Sequence, residues 1–267
     1  MYVTKSPHSK SRCHAFRAAR NGHLDIVTYL VRNCNVNVDA TTSDGTTAFC
    51  WASWQGHLGI MKFLHHIGCD IHRTNCFGCN AVLWSAQGGG KAETLAWLFE
   101  SGSDFNLVNS NGHSAFHKAA QRGSRGAVTW LADRFSSEKG AFWSFIGPDA
   151  EGHCPSDLCR MEGYYDLAGW ISNEECDWVI ESIGRATSVK NLIDNYHESI
   201  PSWLVEDLLD SKELWGKNYI GGVATQHGGV CCGVRRLTLC VIAHFSKSAQ
   251  QVSNVAAELT REFNDID

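Results

Sequence analysis

Asp44-Gly45-Thr46-Thr47-Ala48-Phe49-Cys50-Trp51-Ala52-Ser53-Trp54-Gln55-Gly56-His57-Leu58-Gly59-Ile60 holds three glycines, and two of them, Gly45 and Gly56, each head a column that recurs along the chain. Gly45, Gly78 and Gly112 lie 33 and 34 residues apart, and Gly22, Gly56, Gly90 and Gly123 lie 34, 34 and 33 apart. A period in the low thirties marks a solenoid, whose units bury their apolar faces only by stacking on one another. Ala18-Ala19, Ala52-Ser53, Ser85-Ala86 and Ala119-Ala120 place small residues shortly before the second glycine column, so that a neighbouring helix can approach closely. Eight residues beyond each of those glycines stand Leu30, Leu64, Leu98 and Leu131, preceded by Tyr29, Phe63, Trp97 and Trp130. These pairs are expected to fill the space between repeats, and a weaker copy ends in Trp170-Ile171. Ile26, Val27, Tyr29 and Leu30, like Ile60, Met61, Phe63 and Leu64, have the spacing of an amphipathic second helix. Glycine between the two helices suits a left-handed turn.

The chain resembles the ankyrin repeat. Asp44-Gly45-Thr46-Thr47-Ala48-Phe49 is similar to the family's D-G-x-T-P-L pattern. Gly68-Cys69-Asp70-Ile71-His72 and Gly102-Ser103-Asp104-Phe105-Asn106 are similar to its G-A-D-V-N hairpin, and Asn21-Gly22-His23-Leu24-Asp25-Ile26-Val27 and Gln55-Gly56-His57-Leu58-Gly59-Ile60 to its inter-helix segment. The resemblance covers residues 13–135, with a degraded copy at about 149–171, and implies an all-α solenoid of helix-turn-helix units joined by hairpin loops. Ala48, Ala81 and Ala115 replace the family's proline, so each first helix starts less rigidly. Thr47, Asn80 and Ser114 remain competent to cap those helices.

The expected organisation is a flexible N-terminus over 1–12, four repeats over 13–135, and an insertion plus degenerate fifth repeat over 136–171. An acidic helical cap follows over 172–214, with ten acids against three bases in 172–213. Within it, helices are expected from Glu174, around Val189–Tyr196, and after Pro201. A Gly-rich connector over 215–236 leads to a short strand at Leu237–Phe245 and an amphipathic C-terminal helix carrying Val252, Val255, Leu259, Phe263 and Ile266. No family is recognised in 172–267.

Net charge is −5 over 267 residues, near neutral in 1–171 and −6 beyond. Neither part shows the basic stripe that phosphates demand, so nucleic acid and anionic membrane are not expected as partners. Twelve cysteines suggest a disulfide framework only in a short secreted chain. Here Cys34, Cys50 and Cys69 occupy repeat positions where any small apolar residue serves. With no Asn-x-Ser/Thr sequon and no apolar stretch in Met1–Arg20, the expected address is cytosol or nucleus.

Three segments carry residues of chemical interest. His65, His66, Cys69, His72, Cys76 and Cys79 form the densest set of potential metal ligands, but no second half-site completes Cys76-Phe77-Gly78-Cys79, and no metal is expected. Ser85-Ala86-Gln87-Gly88-Gly89-Gly90-Lys91 lacks the first glycine and the last hydroxyl of a phosphate-binding loop. His117 falls at the family histidine, which the resemblance makes structural. No cofactor and no catalytic residue are expected, and the protein reads as a non-enzymatic monomer.

By the same resemblance, hairpin tips and the solvent edge of each first helix form a concave surface that binds another protein. The positions implied are Arg20, Asn21, Asp44, Thr46, Trp54, Gln55, Phe77, Gln87, Asn111, His113, Gln121 and Arg122. Trp54 and Phe77 lead them, because large aromatics dominate interface energetics. Asn106 and Asn37 stand at the hairpin asparagine that is hydroxylated in some family members. The competing reading makes the repeats a targeting region for a regulatory or remnant catalytic C-terminal domain, or a substrate adaptor within a larger complex.

Overall fold

A computed structural model describes residues 7–88, 91–135, 143–183, 189–196, 200–210 and 233–245. They form two compact units, Met1–Arg134 and Phe135–Asp267.

In the first unit, four helix pairs follow the period: α1 (Pro7–Arg20) with α2 (Leu24–Asn33), α3 (Ala48–Gln55) with α4 (Leu58–His66), α5 (Ala81–Gln87) with α6 (Ala92–Glu100), and α7 (Ala115–Gln121) with α8 (Arg125–Phe135). The caps act as the sequence implies. The side chains of Thr47, Asn80 and Ser114 accept hydrogen bonds from the N–H groups of Cys50, Leu83 and His117, three residues on. Gly56 ends α3 at φ 68°, a conformation in which a side chain is strained.

First helices pack side by side, α1 on α3, α3 on α5 and α5 on α7. The small column makes this possible: Ala18, Ala52, Ala86 and Ala119 are all buried. Leu30, Leu64, Leu98 and Leu131 are buried as expected, but their aromatic neighbours behave in a directional way. Phe63 lies under Arg32 of the repeat before it, Trp97 against Phe49 and His65, and Trp130 against Phe99 and Phe105. Tyr29, in contrast, is 59% exposed. The expectation that every pair fills an inter-repeat space therefore fails at Tyr29.

Between the pairs run hairpins, each closed by a short polar residue three positions before its glycine. Thr42, Asn75 and Asn109 donate their backbone N–H to Thr46, Cys79 and His113. Their side-chain oxygens accept the N–H of those same residues, at 3.1, 2.9 and 2.9 Å. Successive hairpins are joined by Cys76 N–H to the Asp44 carbonyl (2.8 Å) and Ser110 N–H to the Phe77 carbonyl (3.0 Å).

The second unit contains α9 (Trp143–Ile146), α10 (Pro155–Met161), α11 (Tyr165–Ser182), α12 (Val189–Tyr196), α13 (Ser202–Asp210) and α14 (Gly233–Phe245). Its start repeats the hairpin: Asp149 Oδ1 accepts the N–H of Glu151 and His153, and Asp149 N–H donates to His153. Glu175, on α11, is fully buried and accepts both the N–H and the hydroxyl of Ser156 in the first turn of α10. A carboxylate there satisfies donors that the helix leaves open.

Several expected boundaries change. Residues 7–12 are helical, not a flexible end, because α1 begins at Pro7, a residue suited to a first helical turn. The helix expected from Glu174 is the second half of α11, since no glycine or proline interrupts 170–182. The expected strand at Leu237–Phe245 belongs to α14. A short apolar run does not separate strand from buried helix by periodicity, and here Leu237, Cys240 and Val241 bury one helical face. Helix α14 packs against α10, α11, α12 and α13, so the segment expected as connector and strand is the element that α10–α13 share. Helices α12 and α13 match expectation. Residues 1–6, 136–142, most of the glycine-rich stretch (211–232) and the expected C-terminal helix lie outside the described residues.

Gly88 tests the close packing of first helices. A Cβ there collides with the carbonyl and indole of Trp54, whereas one at Gly126 meets nothing within 4 Å. Gly88→Ala is expected to destabilise by about 1–3 kcal/mol, and Gly126→Ala to be neutral or stabilising by about 0.5–1 kcal/mol, read by chemical denaturation of the two variants.

Candidate functional site

Along the exposed side of the first helices the repeat register sets residues in rows. One row runs Arg17, Trp51, Trp84 and Lys118, of which Lys118 is buried, and the next Arg20, Trp54, Gln87, Gln121. Trp51, Trp54 and Trp84 form one cluster, with ring centroids 5.3–5.8 Å apart and planes inclined by 41–61°. The Arg20 guanidinium lies over two of them, 4.9 Å from Trp54 and 5.2 Å from Trp51. Such stacking is worth about 0.5–1 kcal/mol at an exposed site and leaves the guanidinium edges available as donors. All three indoles are half-buried, so the stripe packs between repeats and faces solvent at once.

In repeats two to four the hairpin tip immediately precedes the first helix. Phe77 is 56% exposed between exposed Cys76 and Gly78, and its backbone is held by Asn75 Oδ1 at one side and Ser110 N–H at the other. A large aromatic is thus presented to solvent on a braced turn. Asp44 receives hydrogen bonds from the hydroxyls of Thr42 and Thr46. Burial alone raises its pKa, but those two hydroxyls and the N–H groups of Asp44 and Thr46 outweigh burial and hold the carboxyl below its ordinary value.

Of the positions implied for partner contact, Arg20, Asn21, Gln55, Phe77, Asn111 and Arg122 are exposed, and Asp44, Trp54, Gln87 and Gln121 are half-buried. Two are corrected. Thr46 is fully buried, locked onto Thr42 and Asp44, and His113 is 8% exposed with its ring stacked on His117. Both shape the hairpins from within and are not contact surface. Asn37 and Asn106 are exposed, and Asn37 Oδ1 accepts the N–H of Asp39. His117 is buried and closes a capping box with Ser114, its Nδ1 2.8 Å from the Ser114 hydroxyl.

The potential metal set does not converge. Cys69 and Cys79 are buried while His65, His66, His72 and Cys76 are exposed, and among the described residues no group of three or more such side chains is placed to hold an ion. The glycine-rich Ser85–Lys91 segment begins within helix α5, where a phosphate-binding loop would follow a strand. The sequence reading missed Asn75, Asn109 and Asp149, which build the hairpins. Their signal was available, a short polar residue three positions before Gly78, Gly112 and Gly152.

Helix pairs on a period of 33–34 residues, stacked through small-residue columns and joined by hydrogen-bonded hairpins, define a repeat-solenoid protein. Residues 4–75 match the family model of ankyrin repeats (3 copies) and residues 83–132 that of ankyrin repeats (many copies). Residues 4–75 and 83–132 are therefore ankyrin repeats. It is 23% identical over 223 residues to protein fem-1 homolog A-like of Mus musculus, an alignment covering 80% of this chain and 33% of that protein. That share exceeds what residues 1–171 hold, so the likeness takes in part of the tail. It is also 39% identical over 66 residues to alpha-latrotoxin-Lh1a of Latrodectus hasselti (25% of this chain, 5% of the toxin). Against palmitoyltransferase akr1 of Schizosaccharomyces pombe it is 39% identical over 57 residues (21% and 9%). The chain spans a third or less of each of these relatives.

Asn109 gives one test of the hairpin reading. Asn109→Ala removes the acceptor of two backbone N–H groups and is expected to cost about 1–3 kcal/mol, while exposed Asn111→Ala costs under about 0.5 kcal/mol. Both are measured by urea unfolding. The thiols give another. Burial, aided by Asp39, Cys50 and Asp70, pushes Cys69 up to about 12, and burial likewise raises Cys50. At pH 8 iodoacetamide should alkylate exposed Cys13 and Cys76 in the native protein and spare Cys50 and Cys69 until urea is added, as read by peptide mass spectrometry.

Proposed function

We propose that the protein is a non-enzymatic interaction module that binds a protein partner through the first-helix stripe and the hairpin tips beside it. The observation that carries the reading is the braced, solvent-facing Phe77 alongside the half-buried Trp51–Trp54–Trp84 cluster. Braced aromatics beside polar neighbours are the usual seat of interface energy. The contact residues are Arg20, Asn21, Trp54, Gln55, Phe77, Gln87, Asn111, Gln121 and Arg122, with Asp44 shaping the tip next to them.

The free thiols among the described residues support a reducing compartment, cytosol or nucleus. No helix among the described residues is long and apolar enough to cross a membrane. A second reading, repeats as a targeting region for chemistry elsewhere, draws support from the akr1 likeness, since that relative is named an enzyme and shares only a short segment.

Phe77→Ala should weaken capture of partner proteins by the full chain at least tenfold, on the order of 2 kcal/mol at a hot spot, without lowering Tm. Trp54→Ala should weaken capture and also lower Tm, because that indole packs on Arg20, Trp51 and Trp84. Quantitative mass spectrometry of the captured proteins, beside thermal melts, checks both. Capture unchanged by both variants would remove this face from the binding site.

A further inference from the structure

The four first helices of the first unit contain no aspartate or glutamate. Three of the second helices, α2, α6 and α8, do, at Asp25, Glu93, Glu100 and Asp133. The near-neutral charge of the repeats thus hides a segregation: acids lie on the second helices and hairpins, and the first-helix stripe is free of them. On that stripe the cations sit at the two ends. Arg17 and Arg20 are exposed on α1, and Arg122 is exposed at the end of α7. Helices α3 and α5 between them carry no cation and supply the three indoles. Among the described residues, no ion pair engages Arg17, Arg20 or Arg122. Arg20 is oriented by indoles and not by a carboxylate.

Building on the docking face proposed above, we infer that this stripe takes an extended acidic peptide whose two carboxylate clusters reach Arg17/Arg20 and Arg122, with an apolar side chain between them resting on Trp54 and Phe77. Three helix-to-helix steps separate α1 from α7, about 25–30 Å in all. An extended chain covers that in about eight or nine residues. The guanidiniums offer forked donors that match carboxylates. Single-stranded nucleic acid fits less well. It presents a phosphate at every nucleotide, while α3 and α5 carry no cation to meet one.

The test is selection of random 12-residue phage-displayed peptides on the immobilised full chain, followed by fluorescence anisotropy with a peptide chosen from the enriched set. Enrichment of peptides with Asp or Glu at two places eight or nine residues apart, flanking Trp, Phe, Leu or Met, is expected. Arg20→Glu and, separately, Arg122→Glu should each weaken such a peptide about tenfold or more, and a lysine-substituted peptide should regain affinity for the variants. Unchanged far-UV circular dichroism establishes that each variant is folded, and the two sites keep the test independent of either one.

Neutral or basic peptides that bind and are lost on Phe77→Ala overturn the acidic class while leaving the docking face. Acidic peptides indifferent to Arg20→Glu, Arg122→Glu and Phe77→Ala overturn both. A failure to enrich any peptide overturns the inference alone, as would a 20-nucleotide single strand bound more tightly than every peptide and lost in both arginine variants.

Discussion

Register between neighbouring hairpins governs the first unit. The bonds from Cys76 N–H to the Asp44 carbonyl and from Ser110 N–H to the Phe77 carbonyl tie consecutive tips backbone to backbone. They leave no freedom to slip by a residue. With the tips aligned, the alanines of one first helix face the next, the leucines of the second helices meet the core, and rows such as Arg20–Trp54–Gln87 come into line. The short polar residue that closes each hairpin is what makes the carbonyls and N–H groups available in the right direction. Asp149 places the same device at the start of the second unit.

The repeat architecture was legible because its causes are local and periodic. Glycine turns, N-caps such as Thr47 and Asn80, and small-residue columns each leave a mark at a fixed spacing. What escaped notice was non-periodic. Helix α14 looked like a strand because a nine-residue apolar run carries too few turns to show its period, and its role depends on four helices brought to it from 155–210. Helix α11 looked like two helices because the acidic run at Glu174–Asp177 resembles a start signal. One of those acids, Glu175, instead points inward to Ser156, a contact 19 residues away that no local pattern announces.

The candidate surface was half legible. Register correctly put Arg20, Gln55, Phe77, Asn111 and Arg122 at solvent, because exposure at those positions follows from the repeat itself. Thr46 and His113 were misplaced because hairpin residues alternate inward and outward over very short distances. Charge segregation was hidden by counting whole segments. Acids and bases nearly balance across the repeats, yet the first helices carry bases and no acid while the second helices carry both. Summed charge measures solubility, whereas recognition depends on which face each charge occupies.

The backward lean of Phe63, Trp97 and Trp130 gives the solenoid a direction, as overlapping roof tiles have one. Each aromatic belongs to one repeat but finds its shelter in the repeat before. Peeling repeats away from the leading end therefore bares a new ring at each step, first Phe63, then Trp97, then Trp130. Peeling from the trailing end removes each ring together with its own repeat. The two ends differ in what fraying exposes to water, and the leading end is the adhesive one. Tyr29, in the same aromatic column, has its ring open to water.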